Sequence, residues 1–226
     1  MSMNIAIDGP AGAGKSTIAR RVAKELGSVY VDTGAMYRAM ALFMIKRGVR
    51  ADDREGIERA AEDADISIEY RDGAQHVLLN GEDVTAFLRT EEVGNMASST
   101  SVNPKVREKL VELQQKLAKK TSVVMDGRDI GTVVLPDAEV KIYLTASAHT
   151  RALRRHRELM EKNPSAVPPL SAIEQDINER DHRDMTRAHS PLKQADDAIL
   201  VDSSEMTIEE VTDRILSIAS SHRNAE

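Results

Sequence analysis

Nine consecutive residues carry the plainest chemistry in this chain. Gly9-Pro10-Ala11-Gly12-Ala13-Gly14-Lys15-Ser16 fits the phosphate-loop pattern G-x-x-x-x-G-K-[ST] without a mismatch, and Thr17 follows it. The pattern needs these residue types for physical reasons. Glycines let successive backbone N–H groups turn inward around phosphate oxygens. A helix starting at the lysine adds the positive end of its dipole. Lys15 is expected to reach the outer phosphates of a nucleoside triphosphate, and the Ser16 hydroxyl to ligate Mg²⁺. A short apolar strand before the loop and a helical pattern after it supply the context that the motif requires.

Three further clusters could receive an anionic partner. Asp32-Thr33-Gly34-Ala35-Met36-Tyr37-Arg38 opens a helix, with Thr33 at the expected N-cap and Arg38 about one turn inside. Asp126-Gly127-Arg128-Asp129 ends an apolar strand, where open α/β sheets bind ligands. There Asp126 suits ordering of Mg²⁺ or its waters, Arg128 is a fork for phosphate, and Asp129 can accept from an amino group. In Arg180-Asp181-His182-Arg183-Asp184-Met185-Thr186-Arg187, the spacing places Arg180, Asp184 and Arg187 on one helix face. Each cluster also has a plain structural reading: a capped helix, a salt-bridged turn and a solvated ion-pair helix. The basic run Arg151, Arg154, Arg155, His156, Arg157 is either a lid that closes arginines onto transferring phosphates or a soluble helix. The histidines show no metal-ligand spacing.

Positioning these residues calls for an α/β sheet. Strand patterns at residues 4–8, 29–31, 123–126, 140–144 and 199–201 alternate with helical patterns at 15–26, 35–47, 104–119, 150–161, 172–185 and 208–220. Such alternation predicts a P-loop NTPase-type parallel five-stranded sheet flanked by helices. Asn103 and Pro104 form a good start for one of them. The alternation breaks at 66–70 and 77–79, which flank Arg71-Asp72-Gly73 and precede a second turn at Asn80-Gly81. The break reads as a small antiparallel β insertion, at about residues 60–95, that is either decoration or a moving substrate flap. A proline-rich loop at 163–170 follows the basic run, giving a helical lid at about 150–170 within one kinase-type domain, 1–226.

Composition narrows the function classes. Thirty-one basic residues stand against 37 acidic ones, for a net charge of −6, which speaks against general nucleic-acid or membrane binding. Without cysteine, disulfides and thiolate metal sites are excluded. Neither a secretory leader nor a spanning apolar run is visible, so a cytoplasmic protein is the expectation; its expected state, a monomer, is not something these features decide. No Asn is followed by Lys, so the guanine-reading motif of GTPases is missing.

The series IDGPAGAGKST, DTGAMYR, NGEDVT, NPKVRE, DGRDIGTVV and ERDHRDMTRAHSPL resembles the ordered motifs of bacterial cytidylate kinases across about residues 4–202. That resemblance implies a nucleoside monophosphate kinase fold and transfer of the γ-phosphate of ATP, with Mg²⁺, to CMP or dCMP. It implies that Thr33 and Asp129 receive the cytosine amino group, and that Arg107 and Arg187 face its N3 and O2 acceptors. Ser98, Arg180 and Asp184 would hold the sugar, Arg38 and Arg128 the acceptor phosphate. Lys15, Arg128, Asp129 and the lid arginines Arg154 and Arg157 are the expected catalytic set, and Ser16 and Asp126 the metal ligands. Position 33 holds Thr where many relatives have Ser, which retains the hydroxyl. Two rivals remain: a P-loop kinase for another small acceptor such as UMP or shikimate, and an ATP-binding adaptor without rapid turnover.

Overall fold

The computed structural model describes residues 3–71 and 73–223. Strands are β1 (Ile5–Asp8), β2 (Val29–Asp32), β3 (Ile66–Arg71), β4 (Ala74–Leu79), β5 (Glu82–Asp83), β6 (Val123–Gly127), β7 (Val140–Thr145) and β8 (Ile199–Asp202). Helices are α1 (Lys15–Leu26), α2 (Thr33–Lys46), α3 (Arg54–Asp63), α4 (Glu91–Thr100), α5 (Pro104–Ala118), α6 (Ala148–Lys162), α7 (Leu170–Thr186) and α8 (Ile208–Arg223). They fall into two compact units: one runs to Val29 and resumes at Ser122, the other is Tyr30–Thr121.

The main sheet is five-stranded, in the order β2-β6-β1-β7-β8. β1 pairs in parallel with β6 and β7, and β7 with β8. Every residue of β1 is buried, as are Val123 to Asp126 of β6, which explains their nearly unbroken apolar runs. Register sets Asp8 between Gly127 and Tyr143, so the chain leaves β1 into the phosphate loop at the same end where β6 delivers its Asp-Gly-Arg-Asp sequence. α1 buries Ile18, Ala19, Val22 and Ala23 as one stripe and stops at Gly27, whose φ of 63° is left-handed. α8 contributes Val211, Ile215 and Ile218 to the same unit. The pair α6–α7 closes on its own small core of Ala152, Ile173 and Ile177. The proline-rich stretch between them holds only a short 3₁₀ turn, Pro164–Ala166.

The second unit is built on α2, which is apolar on most sides and buries Met36, Met40 and Met44 completely. The small sheet has the order β3-β4-β5. Its antiparallel register runs from Ile66 opposite Leu79 to Arg71 opposite Ala74. Asn80 and Gly81 turn with φ of 50° and 82°, the double positive φ of a tight hairpin turn. Of the other expected turn, Asp72 lies outside the described residues.

Three expectations need correction. Asp32, not Thr33, caps α2: its carboxylate accepts the Ala35 N–H at 3.0 Å, while Thr33 is already helical. Arg187 lies one residue beyond α7, with extended backbone, so it does not share the helix face of Arg180 and Asp184. A helix at Glu91–Thr100 was not expected. Thr90 caps it, and Val93, Met96, Ala97 and Thr100 form its buried face. Asn103 does cap α5, accepting from Lys105 and Val106 N–H groups, with Pro104 in the first turn.

Candidate active site

The phosphate loop cannot carry a side chain at Gly9, where it leaves β1 beside β7. A Cβ on Gly9 would lie 1.9 Å from the Leu144 carbonyl oxygen, so only glycine fits. Gly14 stands at the N-cap of α1 in left-handed conformation, with φ of 87°. It has no side chain to occupy the first-turn N–H groups, and that turn contains no acidic residue. Those N–H groups suit an anion. Lys15 is 6% exposed and donates to the Pro10 carbonyl at 2.8 Å. Burial, then the neighbouring Arg128 guanidinium, pushes its ammonium well below the usual lysine range, against the pull of Asp126 and Asp8. A buried cation with this deficit of negative charge favours an anionic ligand.

Ser16 donates its hydroxyl to Asp126 at 2.9 Å. Both side chains present oxygen, the donor type that a hard divalent cation takes. Asp8 was overlooked as a site residue, although it directly precedes the loop. Its two carboxylate oxygens accept the N–H groups of Ile130 and Gly131 at 2.8 and 2.7 Å. These residues begin a single π-helical turn, Ile130–Val134, so Asp8 pins the backbone just beyond Arg128 and Asp129. Burial pushes the Asp8 carboxyl up to about 6, against the opposing effect of those two N–H groups.

Two of the sequence clusters meet in this unit. Arg128 Nε donates to Asp184 at 2.7 Å, and Arg187 stands 3.8 Å from the Asp129 carboxylate. Burial favours a neutral Asp184, but the guanidinium groups of Arg128, Arg180 and Arg187 prevail and hold it below the usual carboxylate range. Arg180 is half-buried and adds its charge near Lys15 as well. Of the lid arginines, Arg154 directs its guanidinium to the Ser203 hydroxyl and carbonyl, and Arg157 is exposed. Arg151, which the sequence offered only as one of a basic run, is the arginine that reaches the loop: it donates to the Ala11 carbonyl at 2.8 Å.

The second unit holds its own set. Thr33 is 3% exposed, Arg38 is half-buried, and Ser98 is half-buried on α4. Arg107 is 6% exposed, donates to the Ser101 carbonyl at 3.3 Å, and lies 5.6 Å from the centre of the Tyr37 ring. Gln75 of β4 clasps Asp32 in both directions, accepting its N–H at 2.8 Å and donating to its carbonyl at 3.2 Å. Among the described residues, no helix is long and apolar enough to cross a membrane.

The parallel sheet and its lysine-bearing cradle define a P-loop nucleotide-binding fold. Solved structures share the fold: an uncharacterised protein from Eubacterium ventriosum (TM-score 0.53, 14% identity) and a shikimate kinase from Bacteroides thetaiotaomicron (TM-score 0.50, 12% identity). Each covers 97% of this chain and 99% of its own. At that identity they speak to fold alone.

Sequence comparison is more specific. The cytidylate kinase family model matches residues 5–221. A cytidylate kinase from Carboxydothermus hydrogenoformans is 50% identical over 216 residues, 96% of either chain, and one from Listeria monocytogenes is 49% identical over 95% of either. This chain belongs to the cytidylate kinase family.

Proposed function

We propose that the chain transfers the γ-phosphate of ATP to CMP or dCMP, giving ADP and CDP or dCDP. The observation that carries the reading is the convergence of Arg128, Asp129, Asp184 and Arg187 from two distant segments, with Arg128 and Arg180 electrostatically close to the P-loop lysine. A protein that only bound ATP has no need of such a second set.

Residues 9–17 receive the ATP phosphates, whose negative charge favours the ammonium form of Lys15. Mg²⁺, held through Ser16 and Asp126, would neutralise charge on the transferring phosphoryl group. In the first unit, Asp129 and Arg187 read the cytosine edge, Arg180 and Asp184 hold the sugar, and Arg128 grips the acceptor phosphate. In the second, Thr33 and Arg107 are assigned to the base, Ser98 to the sugar and Arg38 to the phosphate. Cytosine presents an amino donor beside two acceptors, so a carboxylate and guanidinium groups complement it, whereas uracil would leave partners mismatched. The attacking group is a phosphate monoester, already largely dianionic at neutral pH, so no general base is needed. Asp129 therefore acts by recognition rather than proton abstraction. Alignment and charge compensation by Lys15, Arg128 and the lid arginines Arg154 and Arg157 supply the catalysis.

The test is steady-state ADP release with CMP, dCMP, UMP and AMP, with and without Mg²⁺. CMP and dCMP should drive turnover well above UMP and AMP. Equal rates across the panel, or ADP release indifferent to acceptor, would reject the assignment. We further propose that the protein acts as a cytoplasmic monomer on these small molecules, which sedimentation and fractionation test.

A further inference from the structure

Arg151 of α6 and Asp181 of α7 form an ion pair at 2.7 Å, with side chains 6% and 11% exposed. Both partners also grip one residue of the phosphate loop. Arg151 donates to the Ala11 carbonyl at 2.8 Å, and the Ala11 N–H donates to the Asp181 carboxylate at 3.3 Å. Arg151 Nε is braced in turn on the Ala146 carbonyl at 2.9 Å, just past the end of β7.

An ordinary inter-helix bridge accounts for this poorly. α6 and α7 already share the Ala152, Ile173 and Ile177 core. A buried ion pair is weak evidence for stability, because desolvation offsets its attraction. Here the pair instead takes up both the N–H and the C=O of Ala11, which belong to successive peptide planes. Fixing both planes fixes the φ and ψ of Ala11. The loop beyond it contains Gly12 and Gly14, with φ of 76° and 87°, and has little intrinsic stiffness. The direction in which its N–H groups face a phosphate therefore depends on how its first half is anchored.

We propose that Arg151 and Asp181 are positioning residues for the donor-phosphate loop: they hold Ala11 so that the cradle is formed before nucleotide arrives. This rests on the P-loop kinase reading above. Neither side chain touches the reacting phosphates in this role.

The test uses full-length Arg151→Lys and Asp181→Asn, with ADP binding by calorimetry, Ala11 amide exchange, and Michaelis constants for ATP and CMP. Asparagine keeps an oxygen for the Ala11 N–H but drops the charge, while lysine keeps the charge but not the guanidinium's several directed bonds. Each variant should weaken ADP about tenfold, the scale of one charge-assisted hydrogen bond. Each should also speed Ala11 exchange and raise the ATP constant, with the CMP constant within about twofold of wild type. Combining the two changes should cost no more than the worse single one, because they act through one loop residue. Unchanged ADP affinity, unchanged Ala11 exchange, or ATP and CMP constants rising in parallel would overturn the proposal. If Arg151→Lys does not fold, the milder Asp181→Asn decides alone. ADP calorimetry requires no acceptor, so it remains decisive even if the wild-type chain proves inactive with CMP, an outcome that would strike only the proposed function.

Discussion

The Arg128 guanidinium donates to the Asp184 carboxylate at 2.7 Å, across 56 residues of sequence, with side chains only 19% and 15% exposed. Asp184→Ala would leave Arg128 in that environment without its carboxylate. A loss of about 2–3 kcal/mol is expected, between a charged hydrogen bond and a fully buried pair. Calorimetric melts of the purified variant measure it. Because the Asp184 carboxyl is held below its usual range, its contribution is complete above the unfolded-state value and fades as pH falls through the lower folded value. The wild-type advantage over Asp184→Ala should therefore persist to about pH 4 and shrink below that.

Lys15 is buried against the Pro10 carbonyl at the mouth of the cradle, and Lys15→Met should keep its stem packing. Removing one preorganised charge on the transferring group should lower kcat by roughly 10²–10³. Circular dichroism verifies the fold and single-turnover assays give the rate. A near-normal rate would mean that Lys15 does not act on the phosphates.

Much of this scaffold was legible because its physics is local. Strands covered on both faces read as apolar runs, α1 carries a clean buried stripe, and Asn80-Gly81 announces a hairpin. α4 was hidden because Gly94 and the pair Ser98-Ser99 interrupt an i, i+3, i+4, i+7 face of Val93, Met96, Ala97 and the polar Thr100. Asp32 and Thr33 are both helix-capping residue types, and the extended backbone at Asp32, with its carboxylate on the Ala35 N–H, decides between them. Long-range partnerships were the least visible. Nothing in Arg151, Arg154, Arg155, Arg157 marks which arginine is buried, and nothing near Asp8 names Ile130 and Gly131 as its donors.

Asp8 makes a pH prediction of the opposite sign to Asp184. Its folded-state value of about 6 exceeds the ordinary 3.8, so the fold favours the protonated form. Its stabilising contribution is full below the ordinary value, declines as pH rises toward 6, and stays lost above it. Relative to Asp8→Asn, wild type should lose roughly 3 kcal/mol of stability across that window, as an upper figure. Urea melts of both proteins from acid to neutral pH test this, and a flat difference would place Asp8 near its ordinary value.

Asp129→Ala addresses base recognition. Losing one charged hydrogen-bond partner is worth about 1.5–3 kcal/mol, or roughly ten- to a hundredfold in kcat/KM for CMP. ATP affinity should change little, since the proposed donor cradle is residues 9–17. If CMP and UMP respond alike, discrimination lies elsewhere, and Arg107→Met becomes the next variant to measure.

The hairpin insertion is best probed through Gln75. Excising 60–95 would remove buried Ile66, Val77, Leu79 and Val93 and so unfold more than a flap. Gln75 makes two hydrogen bonds to the Asp32 backbone, immediately before Thr33. Gln75→Ala leaves the register of β3 and β4 to the backbone and cuts only this clasp. Each lost neutral hydrogen bond contributes about 1 kcal/mol, so the local anchoring should weaken by roughly 2 kcal/mol at most. If the sheet works on the acceptor, KM for CMP should rise about three- to thirtyfold while ATP binding stays constant, because only acceptor-side alignment is loosened. Futile ATP hydrolysis should rise together with it, since a loosely held acceptor site admits water. CMP-dependent ADP release, compared with ADP release in the absence of CMP, measures both effects. Wild-type values for each would reduce the insertion to decoration.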